Sequence, residues 1–69
     1  MKYLALVSWT DEDEGYIAVA PDLPGCSAFG STPEEAVREI GDATEGWIAT
    51  CRAAGDPVPE PTAKARQGA

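Results

Sequence analysis

The chain has 69 residues, twelve of them acidic and five basic, with no histidine and a formal charge of -7. That length allows one small domain, and it excludes a large enzyme with a deep pocket. The charge opposes direct nucleic-acid binding, and no run approaches the ~20 apolar residues of a membrane span.

Tyr3-Leu4-Ala5-Leu6-Val7-Ser8-Trp9 is short, apolar and aromatic, which predicts a first strand. Thr10-Asp11-Glu12-Asp13-Glu14-Gly15 follows as a turn. Its four consecutive carboxylates repel one another and want water, and Gly15 is the expected source of a positive φ. Tyr16-Ile17-Ala18-Val19-Ala20 predicts a second strand, antiparallel to the first. Pro21 ends it, having no N–H for a ladder. Asp22-Leu23-Pro24-Gly25 is a turn by its proline and glycine, and Cys26-Ser27-Ala28-Phe29-Gly30 is a third strand.

The helix start is the sharpest local signal. Thr32 suits the N-cap, Pro33 suits N1, and Glu35 falls where it completes a capping box with Thr32. Ala36, Val37, Ile40, Ala43, Trp47, Ile48 and Cys51 recur every three or four residues, predicting one buried stripe. Arg52 suits the last turn, Gly55 the C′ position, and Pro57 blocks continuation. Residues 56–61 are proline-rich and extended, with Val58 as an anchor. Residues 62–69 lack a large apolar side chain and are expected to be a flexible tail.

The expected fold is therefore α/β in the α+β sense: an antiparallel three-stranded sheet with one helix on one face, domain limits 1–61. Parity on the strands assigns Leu4, Leu6, Ile17 and Val19 to the helix-facing core. Tyr3, Val7, Trp9, Tyr16 and Ala18 are then expected on the opposite face. That face is too apolar to leave wet, so it calls for a second copy or a partner.

Catalysis finds little support in these residue types. Without histidine, Cys26 has no base to activate it, and Cys26 with Cys51 makes a poor zinc site. Both cysteines are expected reduced, since the Met1-Lys2-Tyr3 start shows no signal-peptide pattern and the expected compartment is the cytoplasm. Asp11, Glu12, Asp13, Glu14 and Asp22 are metal-ligand types. The first four are consecutive and cannot all converge on one ion. No catalytic residue, metal ligand or cofactor is therefore expected, and the chain reads as a protein-binding module.

Three segments together resemble the HicB-like antitoxins. They are Gly15-Tyr16-Ile17-Ala18-Val19-Ala20-Pro21-Asp22-Leu23-Pro24-Gly25-Cys26, then Gly30-Ser31-Thr32-Pro33-Glu34-Glu35-Ala36, then Gly55-Asp56-Pro57-Val58-Pro59-Glu60-Pro61. The resemblance covers roughly residues 3 to 61. It implies a partial RNase H-like fold of order β-β-β-α-(β), with a short fourth strand around Val58. It also implies that the chain binds and neutralises a small basic HicA-type mRNA-cleaving toxin. Many members carry a C-terminal DNA-binding segment, whereas here eight residues follow Pro61, so the likeness is to a short form. An acidic chain suits a basic RNA-binding partner. The residues expected to meet it are Tyr3, Trp9 and Tyr16 as an apolar surface, with Asp11, Glu12, Asp13, Glu14 and Asp22 as its charged complement. The second hypothesis is an orphan homo-oligomeric interaction domain with no toxin. In either case a homo-oligomer, dimer or tetramer, is expected.

Overall fold

The computed structural model describes residues 2–61. The flexible tail expected at 62–69 lies outside the described residues. Three strands, β1 (Leu6–Thr10), β2 (Gly15–Val19) and β3 (Ser27–Gly30), are followed by one helix, α1 (Pro33–Ala54). The strands form an antiparallel meander in the order β1-β2-β3. The first strand begins three residues later than the sequence reading placed it.

The helix forms as its ends dictate. Thr32 is extended, and its hydroxyl accepts from the Glu35 amide at 3.1 Å while Pro33 opens the first turn. The Glu35 carboxylate reaches back to the Ser31 amide at 3.2 Å, one residue before the expected partner. At the other end Gly55 has φ 78, and the Gly55 and Asp56 amides donate to the Arg52 and Cys51 carbonyls. These bonds satisfy the orphan groups that every helix end leaves.

The face of the sheet against α1 differs from the expected one. The register pairs Trp9 with Tyr16 and Tyr16 with Gly30, and it pairs Val7 with Ala18 and Ala18 with Ala28. This set faces the helix. The buried core is Ala18, Ala20, Leu23, Cys26, Ala36 and Ile40, with Tyr3, Ala5, Tyr16, Ala28, Ala43 and Trp47 packed against it. Leu6, Ile17, Val19 and Phe29 lie on the other face, where Leu6 is 55% exposed. The expected parity is thus inverted: Leu6, Ile17 and Val19 are not the core, and Tyr16 and Ala18 are not on the open face.

The reason is the closeness of the helix. A Cβ built on Gly30 would sit 2.8 Å from both Ala36 Cα and the Glu35 carbonyl carbon. Only a surface of small side chains admits a helix this near, and Ala18, Ala20, Ala28 and Gly30 supply it. Bulkier residues are left for the far side. On α1 the buried positions are Ala36, Ile40 and Thr44, whereas Val37, expected in the stripe, is 53% exposed.

The loop between β2 and β3 plugs the end of the core. Leu23 donates to the Ala20 carbonyl, Cys26 to that of Leu23 and Ala20 to that of Cys26, all at 3.0–3.1 Å. These bonds tuck the Leu23 side chain inside, and Trp47 Nε1 donates to the Pro24 carbonyl at 3.0 Å. Thr44 Oγ1, the one buried polar side chain among the described residues, lies 3.8 Å from Cys26 Sγ.

After α1, residues 56–61 run back without joining the sheet. The fourth strand implied around Val58 is absent among the described residues. Prolines at 57, 59 and 61 remove alternate donors that a ladder needs. Side chains hold the segment instead. Tyr3 donates its hydroxyl proton to the Pro59 carbonyl at 2.5 Å, and Cys51 Sγ lies 3.3 Å from the Pro57 carbonyl and 3.6 Å from that of Asp56. Among the described residues no helix is long and apolar enough to cross a membrane.

Candidate functional site

The β1–β2 hairpin tip collects most of the residues singled out in the sequence. Thr10 pairs with Gly15, so Asp11, Glu12, Asp13 and Glu14 form the whole connection, and all four are exposed. The positive φ expected at Gly15 belongs to Glu14, at 51°. Such a conformation is uncommon outside glycine and costs roughly 1–2 kcal/mol. Gly15 is needed for a different reason. A Cβ there would meet Phe29 Cε1 at 2.7 Å, because the Phe29 ring lies over it.

Directly below the loop, Trp9 and Tyr16 are cross-strand partners. Their rings meet edge to face, with centroids 5.3 Å apart and planes at 73°. Trp9 Nε1 donates to Asp11 Oδ1 at 2.7 Å, which fixes the indole against the loop. The indole remains 53% exposed. It lies on the helix side of the sheet, but α1 packs over β3 and β2 and barely reaches β1. The tip therefore offers an exposed indole, braced edge to face by Tyr16 and held beside four carboxylates.

Tyr3 and Asp22 stand apart from this group. Both belong to the opposite end of the sheet, where Leu6 pairs with Val19. Five residues of β2 separate that end from the tip, roughly 14 Å at strand rise. Tyr3 is half-buried against the core with its hydroxyl engaged by Pro59, so its first task is to fasten the N-terminal segment to the proline-rich segment after α1. Asp22 is half-buried in the Leu23 loop. The five carboxylates thus do not converge on a common point. No set of three or more metal-ligating side chains comes together among the described residues.

The sequence reading missed the outer sheet face, where Leu6, Ile17, Val19 and Phe29 form an apolar surface around Ser8 and Ser27. The signal was present in the alternation of small residues, Ala18 and Ala20 on β2, Ala28 and Gly30 on β3. A shallow cleft of about 420 Å³ also lies between the N-terminal segment and α1, lined by Lys2, Tyr3, Gly41, Asp42, Thr44, Glu45 and Ile48.

Comparison with known proteins places these features in a family. The model of the HicB-like antitoxin of bacterial toxin–antitoxin systems matches residues 3–68. The UPF0150 protein Ta0767 of Thermoplasma acidophilum is 33% identical over 64 residues, covering 93% of this chain and 91% of that protein. The UPF0150 protein ssr1765 of Synechocystis is 44% identical over 48 residues, covering 70% of this chain and 61% of that one. No solved structure matches the chain. Matched along nearly its whole length, the chain belongs to the HicB-like antitoxins of bacterial toxin–antitoxin systems.

Proposed function

We propose that this chain binds and neutralises a small, basic, HicA-type mRNA-cleaving toxin in the cytoplasm, by occupying its RNA-binding surface and without catalysis of its own. The observation that carries this reading is the hairpin tip, with Asp11, Glu12, Asp13 and Glu14 exposed beside Trp9 and Tyr16. A toxin that grips RNA presents lysines and arginines to phosphates. A row of carboxylates offers those groups the same sign of charge. Such complementarity raises the encounter rate and selects against acidic partners. The fixed indole adds a face on which a guanidinium stacks, and aromatic anchors of this kind dominate interface energetics.

Glu14 adds a second argument. It keeps a carboxylate at a left-handed position where glycine would cost less, so the loop carries charge at some expense in backbone energy. Tyr3 and Asp22 fit the same partner as outlying contacts. An interface of standard size covers ~800 Å² on each side, close to 28 Å across, which spans the ~14 Å between the two ends of the sheet.

The test is to co-express the chain with the small basic protein encoded beside it, purify the pair, and measure mass and RNA cleavage. The expected result is a stable complex in which cleavage falls in proportion to the chain added. A neighbour that does not bind, or that cleaves RNA equally well in the presence of excess chain, would refute the proposal.

A further inference from the structure

α1 sits off the centre of the sheet, over β3 and β2, so the helix side of β1 is left largely uncovered. Val7 and Trp9 are exposed there. α1 starts beside Gly30, in the same row as Tyr16 and Trp9, and runs toward the end of the sheet where Tyr3 and the Pro24 carbonyl lie. At that end Tyr3, Gly41 and Ile48 line the shallow cleft between the N-terminal segment and α1. Val37, one turn before Gly41 on the same flank, is exposed as well. One groove thus runs along β1, with the sheet as its floor and the flank of α1 as its wall. We propose that this groove takes an amphipathic helix of the basic protein partner, laid beside α1 on the same face of the sheet.

The dimensions suit a helix. Strands lie ~4.8 Å apart and packed helices ~8–10 Å apart, so a helix beside α1 stands about two strands over, above β1. The five residues of β1 extend ~17 Å, the length of about eleven helical residues or three turns. Gly41 keeps the wall low, since a Cβ there would meet nothing within 4 Å.

Charge selects the occupant. Asp11–Glu14 stand at one end of the groove, and Asp42 and Glu45 border it along α1. Lys2, at the end away from the tip, is the basic residue lining the cleft among the described residues. A helix that lays apolar side chains on Val7, Trp9 and Val37 therefore meets carboxylates at the tip end and along its α1-facing edge. Lysines and arginines at those positions are attracted, and acidic residues are repelled. A second copy of this chain offers no such helix. Its own α1 carries Glu34, Glu35, Glu39, Asp42 and Glu45 against Arg38 and Arg52.

This inference rests on the antitoxin reading for the partner's identity and adds the place and shape of the contact. The experiment uses the full chain and the small basic protein encoded beside it. Gly41→Phe fills the groove and should weaken association by about 30-fold or more in a calorimetric titration. Gly46→Phe is the matched control. A Cβ at Gly46 also meets nothing within 4 Å, but the position lies about 140° further round α1, so binding should stay within about threefold of wild type. Circular dichroism melts should show both variants folded, since neither Cβ touches the rest of the chain. A crosslinking measurement at an exposed position reads the occupant without filling the groove. p-Benzoylphenylalanine placed at Val37 should crosslink to partner residues three or four apart in one helix. Association that Gly41→Phe weakens no more than Gly46→Phe overturns the inference and leaves the antitoxin reading standing. So do crosslinks that go instead to a second copy, to residues 62–69 of this chain, or to a strand or loop of the partner. A neighbouring protein that fails to bind the wild-type chain overturns both.

Discussion

Replacing Gly30 by alanine tests the account of the core directly. The added Cβ would meet Ala36 Cα and the Glu35 carbonyl carbon at 2.8 Å, and the Ala36 amide nitrogen closer still. All three are backbone atoms, so no side chain can swing aside. The first turn of α1 must retreat by more than the 0.6 Å that Ala36 Cα alone requires to reach the ordinary 3.4 Å contact, because the Ala36 amide nitrogen is nearer still. That retreat strains the Thr32 cap and pulls Ala36 from its buried place. Overpacking costs ~1–3 kcal/mol and a compromised cap ~1, so the loss should be about 2–4 kcal/mol. A chain of this length has ~3–10 kcal/mol of stability in all, and its Tm should fall by ~10 °C or more. The same substitution at Gly46 makes a sharp control. A Cβ there meets nothing within 4 Å, and alanine improves helix propensity, so Gly46→Ala should stabilise by ~0.5–1 kcal/mol. Urea denaturation followed by circular dichroism, at one fixed protein concentration, measures both. If Gly30→Ala lies within ~0.5 kcal/mol of wild type, or the two substitutions shift stability in the same direction, the close-approach argument is wrong.

Three further outcomes are expected. Thr32→Ala removes the acceptor for the Glu35 amide and should cost ~1 kcal/mol, read as a Tm drop of ~4–8 °C; an unchanged Tm would mean the cap is redundant. Tyr3→Phe deletes the hydroxyl held by Pro59, so stability should fall by ~0.5–1.5 kcal/mol and the Val58 methyl resonances should move toward their random-coil positions; unshifted Val58 signals would show that the segment is held by something else. Changing Asp11, Glu12, Asp13 and Glu14 together to serine should slow toxin association by about tenfold or more at low salt and flatten its salt dependence, measured by stopped flow; an unaltered rate and salt slope would remove the loop from the interface.

How much of this was legible in the sequence depends on whether the determinant is local. The α1 start was readable because Thr32, Pro33 and Glu35 act on adjacent amides, and its end because Gly55 precedes Pro57. The strands were readable to within a few residues from composition and turn chemistry. The choice of face was not, because it depends on how closely α1 approaches, a distance that no single strand encodes. Ranking side chains by size favours Leu6, Ile17 and Val19 for the interior. Packing density favours whatever fits under a helix that nearly touches Gly30. The two criteria select opposite parities of the same strands, and a one-residue change of parity exchanges every side chain between faces. The separation of Tyr3 and Asp22 from the tip has a simpler cause that the strand order already contains: Tyr3 precedes β1 and Asp22 lies in the β2–β3 connection, both at the end of the sheet away from the β1–β2 loop.

The inverted parity also changes what the chain can bind. With bulky residues inside, the outer face would consist of Tyr3, Val7, Trp9, Tyr16 and Ala18, and the aromatic and aliphatic exposed side chains would have no separate surfaces. In the structure they are divided. Trp9 and Tyr16 sit on the helix side beside Asp11–Glu14, and Leu6, Ile17, Val19 and Phe29 occupy the opposite side. One side carries charge with an oriented indole and is suited to a basic partner. The other is apolar, with Asp13 of the loop at its margin beside Ile17 and Phe29. The link between them is Gly15, with Phe29 over it on the outer face and Glu14 beside it in the loop. The Phe29 ring packed over Gly15 therefore restrains the base of the acidic loop, reducing the conformational entropy the loop loses when a partner binds.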